Sequence, residues 1–487
     1  MEPAVPAVAV ARREGAVATT KSPEPRMGLE SGLDRYFKFS ARGSTLRTEV
    51  LAGVATWLTM AYILFVNPAI LGQVSDGAGT SLPFGQVLTV TALVAGVLTI
   101  AMGLWANYPF ALAAGLGLNA FVAFTLVAGQ GLTWPQAMGV IVLEGLIIAA
   151  LVLTGFREAV MNAIPMELKK AIGVGIGLFI AFIGLVNAGV VVAGEGTIVS
   201  IAPDLTTLRM LVFAIGFAGT AALVASRVKG ALLLGILGTT VLAVAINEIW
   251  SDGALWAAVG PGVANVPSDI VSAPDFGLLG NFSFDFFGVV GVATAIALVI
   301  SVMLSDFFDT MGTVVGLGGE AGLLDEDGRL PGIRRVLFVD SLAAAAGGAA
   351  SASSNTTYIE SAAGISEGGR TGLVAVVVGV LFLLSLFFSP LAGVIPPEAT
   401  APVLVIVGYF MMGLVRDIDW RNAAVGVPAL MTMIAMPFTF SITNGVAAGF
   451  VTYTVIKLLT GRWKEIHPLM FAVSAIFVWY FVSGYVT

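Results

Sequence analysis

NYPFALAAGLGLNAFVAF at Asn107–Phe124 and SASSNTTYIESAAGISEGG at Ser351–Gly369 decide how this sequence folds. Both are short, rich in Gly, Ala, Ser or Thr, and lie among long apolar runs, so neither makes a good lipid-facing helix. Irregular backbone at membrane depth survives only where protein or a water-filled cavity supplies the hydrogen bonds that lipid cannot. A half-helix whose first turn opens into such a cavity also presents free N–H groups to a polar ligand. The plainer alternative is a pair of small-residue packing helices.

The sequence around them is that of a membrane protein. Of 487 residues, 57% are hydrophobic and 11% charged, with a mean hydropathy of +0.97. A soluble domain carries about 25% charged residues. Val50–Ser75, Ala171–Gly194, Thr371–Pro397 and His467–Thr487 hold no Asp, Glu, Lys or Arg. Each is long enough to cross a hydrocarbon core, which takes roughly 20 helical residues. Asn422–Ile456 is also uncharged and, at 35 residues, reads as a hairpin of two helices. There is no cysteine, which excludes disulfides, thiolate metal sites and Cys nucleophiles. The N-terminus is polar and proline-containing, with no signal-peptide pattern and a short amphipathic stretch near Leu33–Phe39.

The basic residues set the topology. With seven spans between 50 and 250 and seven between 287 and 460, they alternate in register with cytoplasmic loops, and of 23 only Arg209 falls on the other side. The expected division is a cytoplasmic tail at 1–47, a first repeat at 48–250, an external connection at 251–286 and a second repeat at 287–460. A basic turn and apolar segment at 461–487 follow. The connection Ser251–Phe284 carries no basic residue. An odd number of spans per half makes the repeats inverted, a common plan of secondary transporters with midplane sites at interrupted helices. The two irregular stretches both stand third in their halves, and Gly53-Val-Ala-Thr in the first span recurs as Gly291-Val-Ala-Thr in the eighth. The expected fold is therefore an all-α polytopic membrane protein of fourteen spans. The stretch Pro468–Val486 either crosses or lies at the surface.

Five acids lie well inside spans: Glu144, Asp306, Asp309, Asp340 and Glu360. A charge at the bilayer centre costs about 2.5–3.5 kcal/mol on insertion scales, so each needs a partner or a function. Asp306 and Asp309 in SDFFDTMG share one helical face, and Glu360 sits in the broken tenth segment, so these three are placed to converge on one cavity. Carboxyl groups there suit proton-coupled transport and accept hydrogen bonds from ring N–H groups. Glu144 and Asp340 read equally well as buried structural pairs, and His467, the only histidine, as a surface residue. Gly115-x-Gly117 and Gly316-x-Gly318 follow no strand of a βαβ unit, and Asp325-Glu-Asp-Gly328 lacks calcium-loop spacing; neither is a site.

Several long stretches, in order, carry a resemblance. They are TEVLAGVATWLTMAYILFVNPAILG at Thr48–Gly72, GLGLNAF at Gly115–Phe121, DFFDTMGTVVG at Asp306–Gly316, AGLLDEDGRLPGI at Ala321–Ile333 and NTTYIESAAGISEGGRTGL at Asn355–Leu373. From Gly28 onward the chain resembles the AzgA-like hypoxanthine–guanine–adenine permeases of the second nucleobase:cation symporter family. The resemblance implies two inverted seven-span repeats, core and gate domains, and short strands in spans three and ten. It implies a purine site in which Asn119, Asp306 and Glu360 bind the base, with backbone groups around Thr310, Ser361 and Ala362 adding hydrogen bonds. Asp309 would then serve proton coupling, and Phe121, Phe308 or Tyr358 would stack on the ring; the alignment leaves the roles of Asp306 and Asp309 interchangeable. Pro468–Val486 has no counterpart in the first repeat.

The expected function is import of hypoxanthine, guanine or adenine with a proton across the cell membrane, with no cofactor, no metal and no nucleic-acid partner. Sodium coupling, a homodimer, and a carrier for uracil, xanthine or an anion on the same fold stay open. An anion carrier calls for positive charge at its site, whereas this one presents carboxylates. An intramembrane enzyme using Asp306 and Asp309 lacks the second aspartate-rich cluster that prenyl transfer needs. It also lacks the separate helices of an aspartyl protease.

Overall fold

The computed structural model describes residues 28–154, 164–194, 196–251, 253–259, 263–266, 269–325 and 330–486. Residues 1–27 of the tail, Arg157 and most of the Asp325-Glu-Asp-Gly turn lie outside the described residues.

Helix α1 (Gly28–Phe37) contains much of the expected amphipathic stretch. The first repeat runs through α2 (Leu46–Met60), α3 (Ile63–Leu71), α4 (Phe84–Ala101), strand β1 (Leu112–Ala114), α5 (Leu116–Ala120), α6 (Trp134–Thr154) and α7 (Met166–Asn187). It closes with strands β2 (Val191–Val192) and β3 (Ser200–Ile201) and helices α8 (Leu208–Ala225) and α9 (Ala231–Ser251). The second holds α10 (Phe286–Glu320), α11 (Ile333–Ala349), β4 (Asn355–Thr357), α12 (Ser361–Ser366), α13 (Gly372–Ser385) and α14 (Ser389–Ala392). Helices α15 (Pro397–Met412), α16 (Ala423–Phe438), α17 (Ile442–Leu459) and α18 (Pro468–Val486) complete the chain. Among the described residues ten helical stretches are long and apolar enough to cross a membrane, and Leu116–Gly129, Ala423–Phe438 and Pro468–Val482 are shorter apolar helices. Asn422–Ile456 is the expected hairpin, turning where Phe440 takes a left-handed φ of 53° and Ser441 caps α17.

The helices pack in two groups. In one, α11 lies on α6, α13 on α4 and α2, and α12 on α2; in the other, α7 lies on α15 and α16, and α8 on α9 and α15. Glycines set the closest approaches. A Cβ on Gly372 would lie 2.0 Å from the Gly103 carbonyl, so α13 and the end of the second span meet backbone to backbone. The matching Gly53 and Gly291 tetrapeptides part company here. Gly53 packs its missing Cβ against Val377, whereas Gly291 breaks α10 with φ 76° and has nothing around it. A four-residue echo therefore carries no shared structural role.

Basic side chains tie loops together on one face. The Arg42 guanidinium donates to the carbonyls of Asn107 (2.8 Å) and Arg370 (2.9 Å), Lys170 to that of Asp417 (2.9 Å), and Lys229 pairs with Glu367. Arg209 instead pairs with Glu398 at 2.5 Å, beside the Trp256 indole, which donates to the same carboxylate at 2.8 Å. The terminal α18 runs antiparallel along α17, with Ser474 Oγ 2.7 Å from Thr454 Oγ1 and Tyr480 Oη 3.0 Å from Asn444 Oδ1.

Candidate functional site

The two irregular stretches meet. Strands β1 and β4 pair antiparallel, with Leu112 opposite Thr357, Ala113 opposite Thr356 and Ala114 opposite Asn355. Antiparallel pairing is what two inverted copies of one unit produce. Each strand leads into a short helix, α5 after β1 and α12 after β4. All six strand residues are buried, so the ladder bonds satisfy backbone groups that lipid would leave bare.

Side chains lock this crossing to α10 and α11. The Asp340 carboxylate accepts from Thr310 Oγ1 (2.7 Å), Thr357 Oγ1 (2.8 Å) and the Thr357 amide (2.9 Å). Thr310 Oγ1 also lies 2.7 Å from Thr356 Oγ1. The Ala111 amide donates to Ser361 Oγ (3.0 Å), and Tyr358 Oη donates to the Ala114 carbonyl (2.5 Å). Asp340 thus holds β4 in place, the structural pairing open to it from sequence.

The predicted site residues divide into two sets. Asp309 is exposed to open space yet sits in the electrostatic field of Glu360 and Asp340, with Tyr62 and Tyr358 nearby. Glu360 is half-buried at the start of α12, and its Oε1 accepts from Tyr62 Oη at 2.6 Å. Gly312, one turn beyond Asp309, and Ile359 are exposed as well. Phe308 is half-buried, with Lys169 Nζ of α7 5.2 Å from its ring centre, so the second packing group reaches α10 here.

Asp306, one turn earlier on α10, points into the protein. It is 1% exposed, and its carboxyl faces that of Glu144, which is fully buried. Asn119 is fully buried too, and neither its Nδ2 nor its Oδ1 has a partner. An unmet amide in a protein interior costs about 1–3 kcal/mol, the signature of a group waiting for a ligand or water.

Four expectations change. Thr310 sits in mid-helix, its backbone in the helix ladder and its hydroxyl spent on Asp340, so it has nothing left to offer a ligand. The amides of Ser361 and Ala362 already donate to the carbonyls of Tyr358 (3.1 Å) and Ile359 (2.9 Å), which tightens the first turn of α12 and removes them as free donors. Phe121 is fully buried in the apolar core. Tyr358 is buried with its hydroxyl committed to β1, which leaves Phe308 as the aromatic ring beside the open space. Tyr62, which grips Glu360, was missed: in MAYILF it has the look of any aromatic in a span, and nothing local marks it. Among the described residues no cluster of three His, Asp or Glu side chains is placed to hold a metal.

The family model described as "Permease family" matches residues 47–448. The chain is 40% identical over 449 residues to the adenine permease AdeQ of Escherichia coli, covering 92% of this chain and 96% of that one. It is 39% identical over 455 residues to the guanine/hypoxanthine permease PbuG of Bacillus subtilis, covering 92% and 99%. Among solved structures, the transmembrane domain of the cyanobacterial bicarbonate transporter BicA superposes with a TM-score of 0.57 at 13% identity, covering 83% of this chain and 97% of that domain. At that identity the likeness is one of fold alone, and the fold is the two-repeat plan expected from the sequence.

Proposed function

Because the chain belongs to this permease family, we propose that it carries a purine nucleobase (hypoxanthine, guanine or adenine) across the cell membrane, together with a proton, by alternating access. It is a multi-pass membrane transporter and not an enzyme. The N-terminus is cytoplasmic in this reading, and the chain crosses fourteen times as two inverted repeats.

One observation supports the reading: Asp309 of α10 is exposed and acts electrostatically on half-buried Glu360 at the start of α12, so two carboxylates come together beside the β1–β4 crossing. A purine offers ring N–H groups along one edge, and two carboxylates are acceptors with lone pairs to spare. Asn119, a donor and an acceptor in one side chain, complements the mixed edge of a purine, and Phe308 covers the ring. The placement favours exchanging the two span-eight acids. Asp309, exposed, contacts substrate, and Asp306, buried one turn away, is free for coupling. The group containing α7 then moves against the group holding β1 and β4, closing the opening where Lys169 meets Phe308.

The test is uptake of radiolabelled purines into proteoliposomes, with and without an imposed pH gradient. Uptake of at least one base that rises with an inward proton gradient is the expected result. Gradient-independent uptake overturns proton coupling, and no uptake of any purine overturns the substrate.

A further inference from the structure

Glu144 and Asp306 form a buried pair of acids on neighbouring helices. Glu144 lies mid-way along α6 and is fully buried, and Asp306 of α10 is 1% exposed. Helices α6 and α10 pack on each other, their two buried carboxyls act on one another across that contact, and Ser354 lies near Glu144. Neither Glu144 oxygen, nor Asp306 Oδ1, nor the fully buried Ser354 Oγ is partnered in the hydrogen-bond network of the fold. The other charged groups that act on the pair are Asp340 of α11 and Asp309 of α10, both acidic; no basic side chain among the described residues does so. His467, the only histidine, lies in an exposed turn.

Two ionised carboxylates only accept hydrogen bonds, so they cannot bond to each other. Buried without a cation, they repel and pay for desolvation. One proton resolves this: the protonated acid donates to its neighbour. Asp309 stands one helical turn from Asp306 and is open to solvent, which gives the proton a route in that does not cross apolar protein.

We propose that Glu144 and Asp306 share a proton and together form the coupling site of this transporter, separate from the Asp309–Glu360 pair that faces the purine. In the step, hydronium on one side gives up a proton and is left as water, an O–H bond forms on one carboxylate of the pair, and that bond breaks as the proton passes to a water molecule on the opposite side. This rests on the transport reading above.

Two measurements test it. For one proton per base, a one-unit gradient supports about tenfold accumulation of labelled purine in wild-type proteoliposomes. Glu144→Gln, close in shape but unable to exchange a proton, is expected to let purine equilibrate with an accumulation ratio near one; Glu144→Asp restores accumulation with a displaced pH profile. Accumulation by Glu144→Gln equal to wild type overturns the proposal, as does accumulation driven by a sodium gradient at uniform pH. The second measurement needs no substrate, so it separates this proposal from the purine reading. Infrared spectra of the wild-type protein are expected to contain the C=O band of a buried protonated carboxyl, shifted in D2O and lost in both Glu144→Gln and Asp306→Asn. A wild-type spectrum without that band overturns the shared proton, even if every purine is transported.

Discussion

Strands β1 and β4 occupy equivalent places in the two repeats and are built from opposite chemistry. In β1, Leu112-Ala-Ala offers the crossing only backbone and small apolar side chains. In β4, Asn355-Thr-Thr sends both threonine hydroxyls into α10 and α11 through Thr310 and Asp340. The first copy is a spacer that lets its partner come close; the second is the polar hub that fixes the geometry. Inverted repeats share a backbone plan without sharing the interactions that hold it, which is why the sequence echo between the halves is so faint.

That contrast can be broken at β4 first. Asp340→Ala removes three accepted hydrogen bonds, and bonds to a charged group contribute about 1.5–3 kcal/mol each. Folded yield and melting temperature in detergent are expected to collapse, and a stable, active variant would remove the hub role. Next in size are Glu360→Gln and Asp309→Asn, which leave the strand crossing intact. Each loses a charge-assisted contact to the base, about 1.5–3 kcal/mol or roughly 10–100-fold in apparent affinity, with little change in melting temperature. Wild-type transport by both would misplace the site. On the spacer side, Ala113→Val adds volume opposite Thr356 in a fully buried position, and overpacking costs about 1–3 kcal/mol. Its readout is melting temperature, and an unchanged value would mean the crossing tolerates bulk. The smallest effect belongs to Asn119→Ala. Its amide has no protein partner, so stability holds or rises slightly, while purine binding weakens about 2–10-fold for one neutral hydrogen bond of roughly 0.5–1.5 kcal/mol. A drop in stability with unchanged binding would assign Asn119 to the fold.

Much of the fold is legible because lipid imposes a simple rule on each segment taken alone. The span positions, the hairpin at Asn422–Ile456 and the two irregular third segments follow from charge-free length and from what cannot face hydrocarbon. The site was legible in composition but not in arrangement. Asp306, Asp309 and Glu360 stand out as acids inside spans, yet the i, i+3 spacing that puts Asp306 and Asp309 on one face does not say that the first is buried and the second exposed. Tyr62 carries no local mark at all, since its partner Glu360 lies about 300 residues away along the chain.

By itself, then, the sequence determined that the chain lives in lipid, that it breaks its helices at two matching places, and that carboxylates gather near those breaks. These are properties of single segments and their solvent. Only the tertiary structure decided what the breaks do: β1 pairs with β4, Asp340 clamps the pair, Asp309 stays exposed near Glu360, and Asp306 turns inward toward Glu144. Each of those depends on which faces of distant helices meet. The physical reason is that hydrophobicity is a sum over a segment, whereas a hydrogen bond or a shared proton needs two particular atoms brought within about 3 Å.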